Sequence, residues 1–151
     1  RLSGSYKMLH LPDGLSQDSL HMLMTCEPQI KEIGDLISRT DVLLFGIGTA
    51  MRMSDQRHIA DDVRKQLVDN HAVGEALGQY CDIEGKLIYS TNNIGLSLPD
   101  VVKVPNVIAV AGGQEKASAI IGVMRACQKG ILIIDEQAAE GMRQLLQISA
   151  L

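Results

Sequence analysis

The chain has 151 residues, a mass of 16.4 kDa and a net charge of −4, with 46% hydrophobic and 21% charged residues. This composition allows one folded domain with a buried core, so the chain need not be disordered. The acidic balance and the 3% aromatic content argue against a nucleic-acid-binding surface, which needs a basic face or stacking side chains.

The N-terminal part of the chain predicts one short strand and two helices. Residues 6–11 precede a Pro-Asp-Gly turn signal and are interpreted as a strand. Ser16 is a favourable N-cap for a helix over 17–25. A second helix is predicted over 27–39, because Pro28 lies in the first turn, where its missing N–H costs little.

Residues 41–48 (DVLLFGIG) predict the first strand of the main sheet. The segment is apolar at consecutive positions, which is typical of a parallel strand covered by helices on both faces. A helix over 55–69 is predicted to follow, because Ile59, Val63 and Leu67 recur every four residues.

The middle of the chain predicts a small antiparallel element. Residues 78–89 contain two short strand-like segments, GQYCDI and KLIYS, joined by Glu84-Gly85, which is a hairpin signal. Residues 92–105 contain two prolines, a glycine and an Asn-Asn pair, and are predicted to be mainly loop.

The C-terminal part repeats the strand–helix pattern. Residues 106–113 and 130–135 predict two more buried strands, and the segments 115–127 and 136–146 after them have helical spacing of apolar residues. This alternation predicts an α/β fold in one domain, with a mostly parallel sheet flanked by helices and a small antiparallel insertion.

The exit of the first strand is one candidate binding segment. Gly48 and Thr49, followed by Arg52, lie where the carboxyl ends of parallel strands commonly bind ligands. The alternative is that the glycines only turn the chain. Met51 stands where a GxGxxG fingerprint requires its third glycine, so a dinucleotide site is disfavoured.

A second candidate follows the strand at 106–113. The amides of Gly112, Gly113 and Gln114 open a helix, and such amides bind phosphate readily. Lys116 lies in the same turn. A positive side chain is unfavourable at the N-terminus of a helix because of the helix dipole, and a bound anion would explain its presence there. The alternative is a solvated lysine paired with a nearby carboxylate. No Walker loop is present, so nucleotide hydrolysis is not indicated.

Two further candidates are polar side chains outside these turns. Glu75 lies among small residues and could accept hydrogen bonds from sugar hydroxyls, although a surface or capping glutamate is the favoured interpretation of that segment alone. Arg52 and Arg57 suit phosphate recognition. Since no base–nucleophile combination or metal-ligand spacing is evident, we expect neither catalysis nor a bound metal.

The cysteines and the hydropathy pattern indicate the compartment. Cys26, Cys81 and Cys127 are widely spaced and include no CxxC pair, so neither a disulfide framework nor a zinc site is predicted. No run of 18 apolar residues and no signal peptide are evident. We therefore expect a cytoplasmic protein without a membrane partner.

Three motifs carry a resemblance to a known family. LLFGIGTAM, AVGEALGQYCDIEGKLIY and NVIAVAGGQEKASAIIG occur in this order, and the chain resembles the effector-binding domain of SorC-family bacterial transcriptional regulators. The resemblance implies a Rossmann-like fold of the deaminase/isomerase-like superfamily. It also implies a sugar-phosphate sensor within a repressor of glycolytic genes. A sugar-phosphate isomerase or deaminase of the same fold is the alternative.

The resemblance also implies roles for individual residues. Lys116 matches the family's phosphate-binding lysine, and Glu75 matches the acid that contacts sugar hydroxyls. Arg57 lies near the family's phosphate-binding arginine, although Arg52 could serve instead and Gln56 occupies the position on a strict count. The implied effector is fructose-1,6-bisphosphate or a related phosphosugar, with no other cofactor.

The extent of the resemblance predicts the domain organisation. Residues 1–151 begin without an initiating methionine and correspond to the C-terminal part of the effector domain. The helix-turn-helix and the first sheet strand are expected to lie outside this chain. Operator DNA would then be bound only through that missing domain, and we expect a homo-oligomer.

Overall fold

The computed structural model describes residues 4–12 and 14–147. Within these residues, seven strands form two separate sheets, one of three strands and one of four. The strands are Val42–Gly46 (β1), Gly48–Thr49 (β2), Gly74–Ala76 (β3), Gln79–Cys81 (β4), Leu87–Ser90 (β5), Asn106–Ala111 (β6) and Ile131–Ile134 (β7).

Two of the helices, Gln17–Cys26 and Glu136–Leu145, begin after residues whose side chains cap them. Ser16 accepts a hydrogen bond from the Ser19 N–H, and Asp135 accepts one from the Ala138 N–H at 2.8 Å. No helix in residues 4–12 and 14–147 is long and apolar enough to cross a bilayer. The α-helices are Gln17–Cys26 (α1), Pro28–Ser38 (α2), Ala50–Gln56 (α3), Asp61–Asp69 (α4), Ala117–Cys127 (α5) and Glu136–Leu145 (α6), and the 3₁₀ helices are Pro99–Lys103 and Gln114–Lys116.

The sheet topology confirms the predicted α/β fold. Strands β1, β6 and β7 are parallel neighbours in that order, with helices between them. The predicted hairpin is also present, as β4 and β5. It belongs to an independent antiparallel sheet in the order β2–β3–β4–β5, whose strands β2 and β3 are too short to predict from alternation.

Two element predictions were wrong. The chain over 55–69 is not one helix, since α3 ends at Gln56 and α4 begins at Asp61. His58 has a φ of +48° between them, which no α-helix accommodates. Ile59 packs against the same small cluster of buried residues as Leu67, but it does so from the non-helical segment between α3 and α4. Residues 6–11 form no strand, and Tyr6 is largely exposed.

The main core lies on one face of the parallel sheet. Phe45, Val107 and Ala109 point from the sheet toward Ile120 of α5 and Ala138 of α6. The prediction that helices cover both faces was wrong for the described residues, because the side chains on the opposite face are exposed. These exposed residues are Val42, Leu44, Val110, Ile131 and Ile133.

A smaller core joins the antiparallel sheet to α3 and α4. Its fully buried members are Ala50, Leu67 and Tyr80. The Ala50 N–H donates to the Val73 carbonyl at 3.0 Å, which fixes the start of α3 against β3. This packing holds the exit of β1 and the strand that carries Glu75 in contact with each other.

Candidate functional site

A cavity of about 530 Å³ opens at the carboxyl end of β1, between the two sheets. In open α/β sheets this end of the strands is where ligands bind. Polar and apolar side chains from six separate segments meet there. The residues that line it are Phe45, Gly46, Ile47, Gly48, Thr49, Arg52, Met53, Gln56, Arg57, Glu75, Leu77, Val110 and Lys116.

Glu75 is the buried acid of this cavity. It lies in β3 directly opposite Gly48 of β2, and only 3% of it is exposed. Its Oε1 accepts hydrogen bonds from the Gly78 N–H at 2.7 Å and from the Arg57 Nη2 at 3.3 Å. No hydrogen bond to Oε2 occurs among the described residues, so this oxygen is available to a hydroxyl in the cavity.

The protonation of Glu75 reflects opposing effects. Burial raises the pKa of its carboxyl above the ordinary value of 4.5, because a charge loses hydration there. The hydrogen bond from Gly78 and the nearby Arg57 charge offset part of this increase in pKa. The interpretation of Glu75 as an ordinary surface glutamate does not fit this burial.

A tight turn supplies one of the donors to Glu75. Leu77 and Gly78 have φ values of +55° and +78° between β3 and β4, as in a two-residue type I′ hairpin. A Cβ on Gly78 would lie 2.3 Å from the Thr91 Oγ1, so a glycine is required at this turn. The turn places Leu77 in the apolar wall of the cavity.

Gly48 is required by a close approach. A Cβ at this position would lie 2.3 Å from the Met53 Cγ and 3.8 Å from the Glu75 Oε2. The missing side chain therefore lets the Met53 side chain pack directly on this strand, next to the carboxylate. Gly48 and Thr49 both line the cavity, and the Thr49 hydroxyl does not cap α3.

Lys116 brings a positive charge to the opposite wall. Its Nζ donates a hydrogen bond to the Ile47 carbonyl at 3.1 Å, which ties the 3₁₀ helix to the exit of β1. An ammonium carries three N–H donors, so this bond leaves two for a ligand. The alternative, a solvated lysine paired with Glu115 or Asp135, holds only in part: Lys116 is half-buried, and its charge contributes to the lowered pKa of Asp135.

The charged groups of the cavity favour an anion. Arg52, Arg57 and Lys116 line it together with the single carboxylate of Glu75. Arg52 is exposed at the rim, whereas Arg57 is half-buried and contacts Glu75. Gln56, which occupies the position of the family's arginine on a strict count of residues, also lines the cavity. Guanidinium and ammonium groups at this density suit a phosphate.

Three predicted site residues lie elsewhere. Gly112, Gly113 and Gln114 are absent from the lining of this cavity. The Gly113 N–H donates to the carboxylate of Asp135 at 2.9 Å, and hydrogen bonds from Ala138 and Gly113 lower the pKa of Asp135. Gln114 lines a separate cleft against α6. The structure thus brings together six of the nine predicted residues.

Sequence reasoning missed the apolar wall and the turn donor. Met53 and Leu77 line the cavity, and Gly78 holds the Glu75 carboxylate. One signal was present, because a glycine three residues after an acid can offer its N–H to that side chain. Nothing local to Met53 or Leu77 distinguishes a cavity wall from an ordinary core position.

The buried cysteines are packed thiols, as predicted. Burial raises the pKa of Cys81 to about 12 and that of Cys127 to about 11, so neither is a thiolate at neutral pH. Within the part of the chain that the structure describes, no group of His, Cys, Asp and Glu is arranged to hold a metal ion.

Comparison with known proteins identifies the family. The family model Sugar-bind, which describes a sugar-binding domain, matches residues 1–144. A SorC-family transcriptional regulator from Enterococcus faecalis has a similar structure, with a TM-score of 0.83, 38% identity, and coverage of 92% of this chain and 56% of that one. The chain belongs to the sugar-binding domains of SorC-family transcriptional regulators.

Two curated relatives of this SorC-family domain are similar over most of its length. The central glycolytic genes regulator of Bacillus subtilis is 35% identical over 93% of this chain, and that of Priestia megaterium is 38% identical over 89%. The SorC-family domain spans about two fifths of the length of each, at 41% and 39%. These relatives are regulators, so the family evidence supports a sensor domain over the enzyme alternative.

Proposed function

We propose that this domain binds a phosphorylated sugar in the cavity at the end of β1, with fructose-1,6-bisphosphate or a related phosphosugar as the effector. The observation that carries this proposal is that the Lys116 ammonium and the buried Glu75 carboxylate line one cavity. A sugar phosphate combines an anion with hydroxyl groups, and therefore needs both a cationic donor and a carboxylate acceptor.

Each of these residues has a distinct part in the proposed complex. Lys116 donates to a phosphate with the two N–H groups that Ile47 does not use. The Glu75 Oε2 accepts hydrogen bonds from sugar hydroxyls, while its Oε1 stays bound to Gly78. Arg52 and Arg57, on the α3 side, are placed for a second anionic group.

The glycine turn after β6 remains a separate hypothesis. A phosphate contact from Gly112, Gly113 or Gln114 stays a prediction. In the structure, the Gly113 N–H already donates its hydrogen bond to Asp135. Such a contact would require the Asp135 carboxylate to release this donor. The contacts from Lys116 and Glu75 do not depend on that rearrangement.

In the full-length protein we propose that the domain is the C-terminal part of the sensor of a glycolytic-gene repressor. Support comes from the names of the two glycolytic regulators and from their greater length. Operator DNA would be bound by a helix-turn-helix outside these residues, in a cytoplasmic homo-oligomer. A ligand that contacts two quaternary arrangements differently would shift operator affinity.

A thermal-shift series on the full-length protein tests the ligand class. Fructose-1,6-bisphosphate, fructose-6-phosphate and fructose are compared at equal concentrations. We expect the phosphorylated sugars to raise Tm by several degrees, since ligand at 100 times Kd adds about 2.7 kcal/mol of stability. An equal effect of fructose would contradict the anion site, and no effect of any sugar would contradict the proposal as a whole.

A further inference from the structure

Leu77 has an unusual backbone conformation for a bulky aliphatic residue. It is the first central residue of the turn between β3 and β4, and its φ is +55°. Turns of this type favour asparagine, aspartate or glycine at that position, because a bulky side chain is strained at positive φ. Strained residues cluster at functional sites, where the surrounding structure holds them in place. The strain at Leu77 therefore points to a use for its side chain.

The other non-glycine residues with positive φ are of a different kind. Each is polar and lies at the C-terminal end of a helix or just after it, where a residue in the left-handed conformation is common. They are His58, His71, Gln128 and Gln147. Among the described residues, Leu77 is the one apolar side chain with this backbone conformation and the one that lies in a hairpin.

Hydrogen bonds hold the turn in this conformation. The Gly78 N–H donates to the Glu75 Oε1 at 2.7 Å, and the Asn93 Nδ2 donates to the Leu77 carbonyl at 3.1 Å. The Thr91 N–H donates to the Gly78 carbonyl at 2.8 Å. Rotation of the turn would break these bonds, so the Leu77 side chain is fixed in the wall of the cavity.

Leu77 gives the cavity an apolar surface close to the carboxylate. It follows Glu75 by two residues, and it lines the cavity together with Phe45 and Met53. Leu77 packs partly on the main core but is only half-buried, so part of its side chain faces the cavity. A closed sugar ring has the matching combination, with hydroxyl groups at its edge and C–H groups on its faces.

We propose that Leu77 is a specificity-determining residue that selects closed sugar rings over open-chain phosphosugars. The inference rests on the proposed function, because it requires Glu75 to accept hydrogen bonds from sugar hydroxyls. When the hydroxyls bind Glu75, the C–H groups of the ring lie against Leu77 and are removed from water. An open chain loses more conformational freedom on binding, and any hydroxyl that it turns toward Leu77 loses its hydration without gaining a partner.

Calorimetry on the full-length protein tests this role. Fructose-1,6-bisphosphate is compared with mannitol 1,6-bisphosphate, an open-chain counterpart with the same two phosphates. Leu77→Asn removes the apolar surface but keeps the turn, since Asn-Gly is a favoured pair for a type I′ hairpin. Leu77→Met is the conservative variant. Gln128→Asn is the matched control, because Gln128 has the same φ of +55° but is exposed and does not line the cavity.

We expect the wild type to bind the ring ligand about tenfold or more tightly than the open-chain ligand, and Leu77→Asn to lower this ratio by about tenfold. Leu77→Met and Gln128→Asn should keep the ratio. An unchanged ratio in Leu77→Asn, or equal affinities of the wild type for the two ligands, would overturn this inference and leave the proposed function intact. Binding of neither ligand by the wild type would contradict the proposed function, and this inference with it.

Discussion

The Arg57 guanidinium lies 3.3 Å from the Glu75 carboxylate, and the pair joins the end of α3 to β3. The Glu75 side chain is nearly inaccessible to water, whereas that of Arg57 is 29% exposed. The half-buried Arg57 guanidinium therefore orients the buried Glu75 carboxylate. In the absence of ligand, this ion pair keeps the acid of the cavity in place.

Removal of the Arg57 charge should destabilise the fold. Arg57→Ala leaves the Glu75 carboxylate with Gly78 as its remaining described donor, so we expect a loss of about 1–3 kcal/mol in the free energy of unfolding at pH 7. Arg52→Ala, at the exposed rim, is the control and should change stability by less than about 0.5 kcal/mol. Urea denaturation that gives equal stabilities for the two variants would contradict this role.

The raised pKa of Glu75 predicts a pH dependence of stability. Because the folded state holds this proton more tightly than the unfolded state, its contribution is complete below pH 4.5 and is lost as the pH rises through the folded pKa. The Glu75→Gln variant has no titrating carboxyl at this position, so its stability does not show this loss. We therefore expect the stability of the wild type to fall relative to Glu75→Gln above pH 4.5, by at most about 1.4 kcal/mol per pH unit.

The difference in stability between the wild type and the Glu75→Gln variant isolates the contribution of Glu75. The pKa values of Glu140 (about 2), Asp100 and Asp135 are lowered by hydrogen bonds, so these acids lose stabilisation as the pH falls. They are common to both proteins and cancel in the difference. Parallel stability curves from pH 4 to pH 8 would show that burial does not raise the pKa of Glu75.

Gly46 and Gly48, at the exit of β1, should differ sharply in how well they tolerate substitution by alanine. Gly48→Ala forces Met53 to move beside Glu75, so we expect a loss of about 1–3 kcal/mol in stability and at least tenfold weaker phosphosugar binding. Gly46→Ala is the matched control, since its Cβ would lie 3.9 Å from the nearest atom, the Val110 carbonyl oxygen. Calorimetry and urea denaturation that rank the two variants equally would refute the close approach.

The Lys116 ammonium should contribute to binding beyond its structural bond. Lys116→Met keeps the apolar stem but removes the charge, and we expect phosphosugar affinity to fall about 10- to 100-fold. Loss of the bond to the Ile47 carbonyl should also cost about 1 kcal/mol of stability. Lys65→Met, exposed on α4, is the control, and calorimetry that finds the same Kd for both variants would disprove the phosphate contact.

The parallel strands and most helices could be predicted because their signals are local. Consecutive apolar residues in β1 and β6, the Ser16 cap and Pro28 in a first turn each act within a few residues of their position. The family motifs also lie in continuous segments. The break between α3 and α4 could not be predicted, because Ile59 preserves the helical spacing while it packs from a non-helical turn.

The candidate site was predicted in its residues but not in its arrangement. The sequence by itself determined that Lys116, Glu75 and the arginines were available for an anion and hydroxyls, since residue type sets charge and donor capacity. Tertiary structure alone decided that Lys116 reaches Ile47 across 69 residues, and that Asp135 rather than an open cavity receives the Gly113 amide. Contacts between distant segments depend on how the sheets and helices pack, which no local pattern encodes.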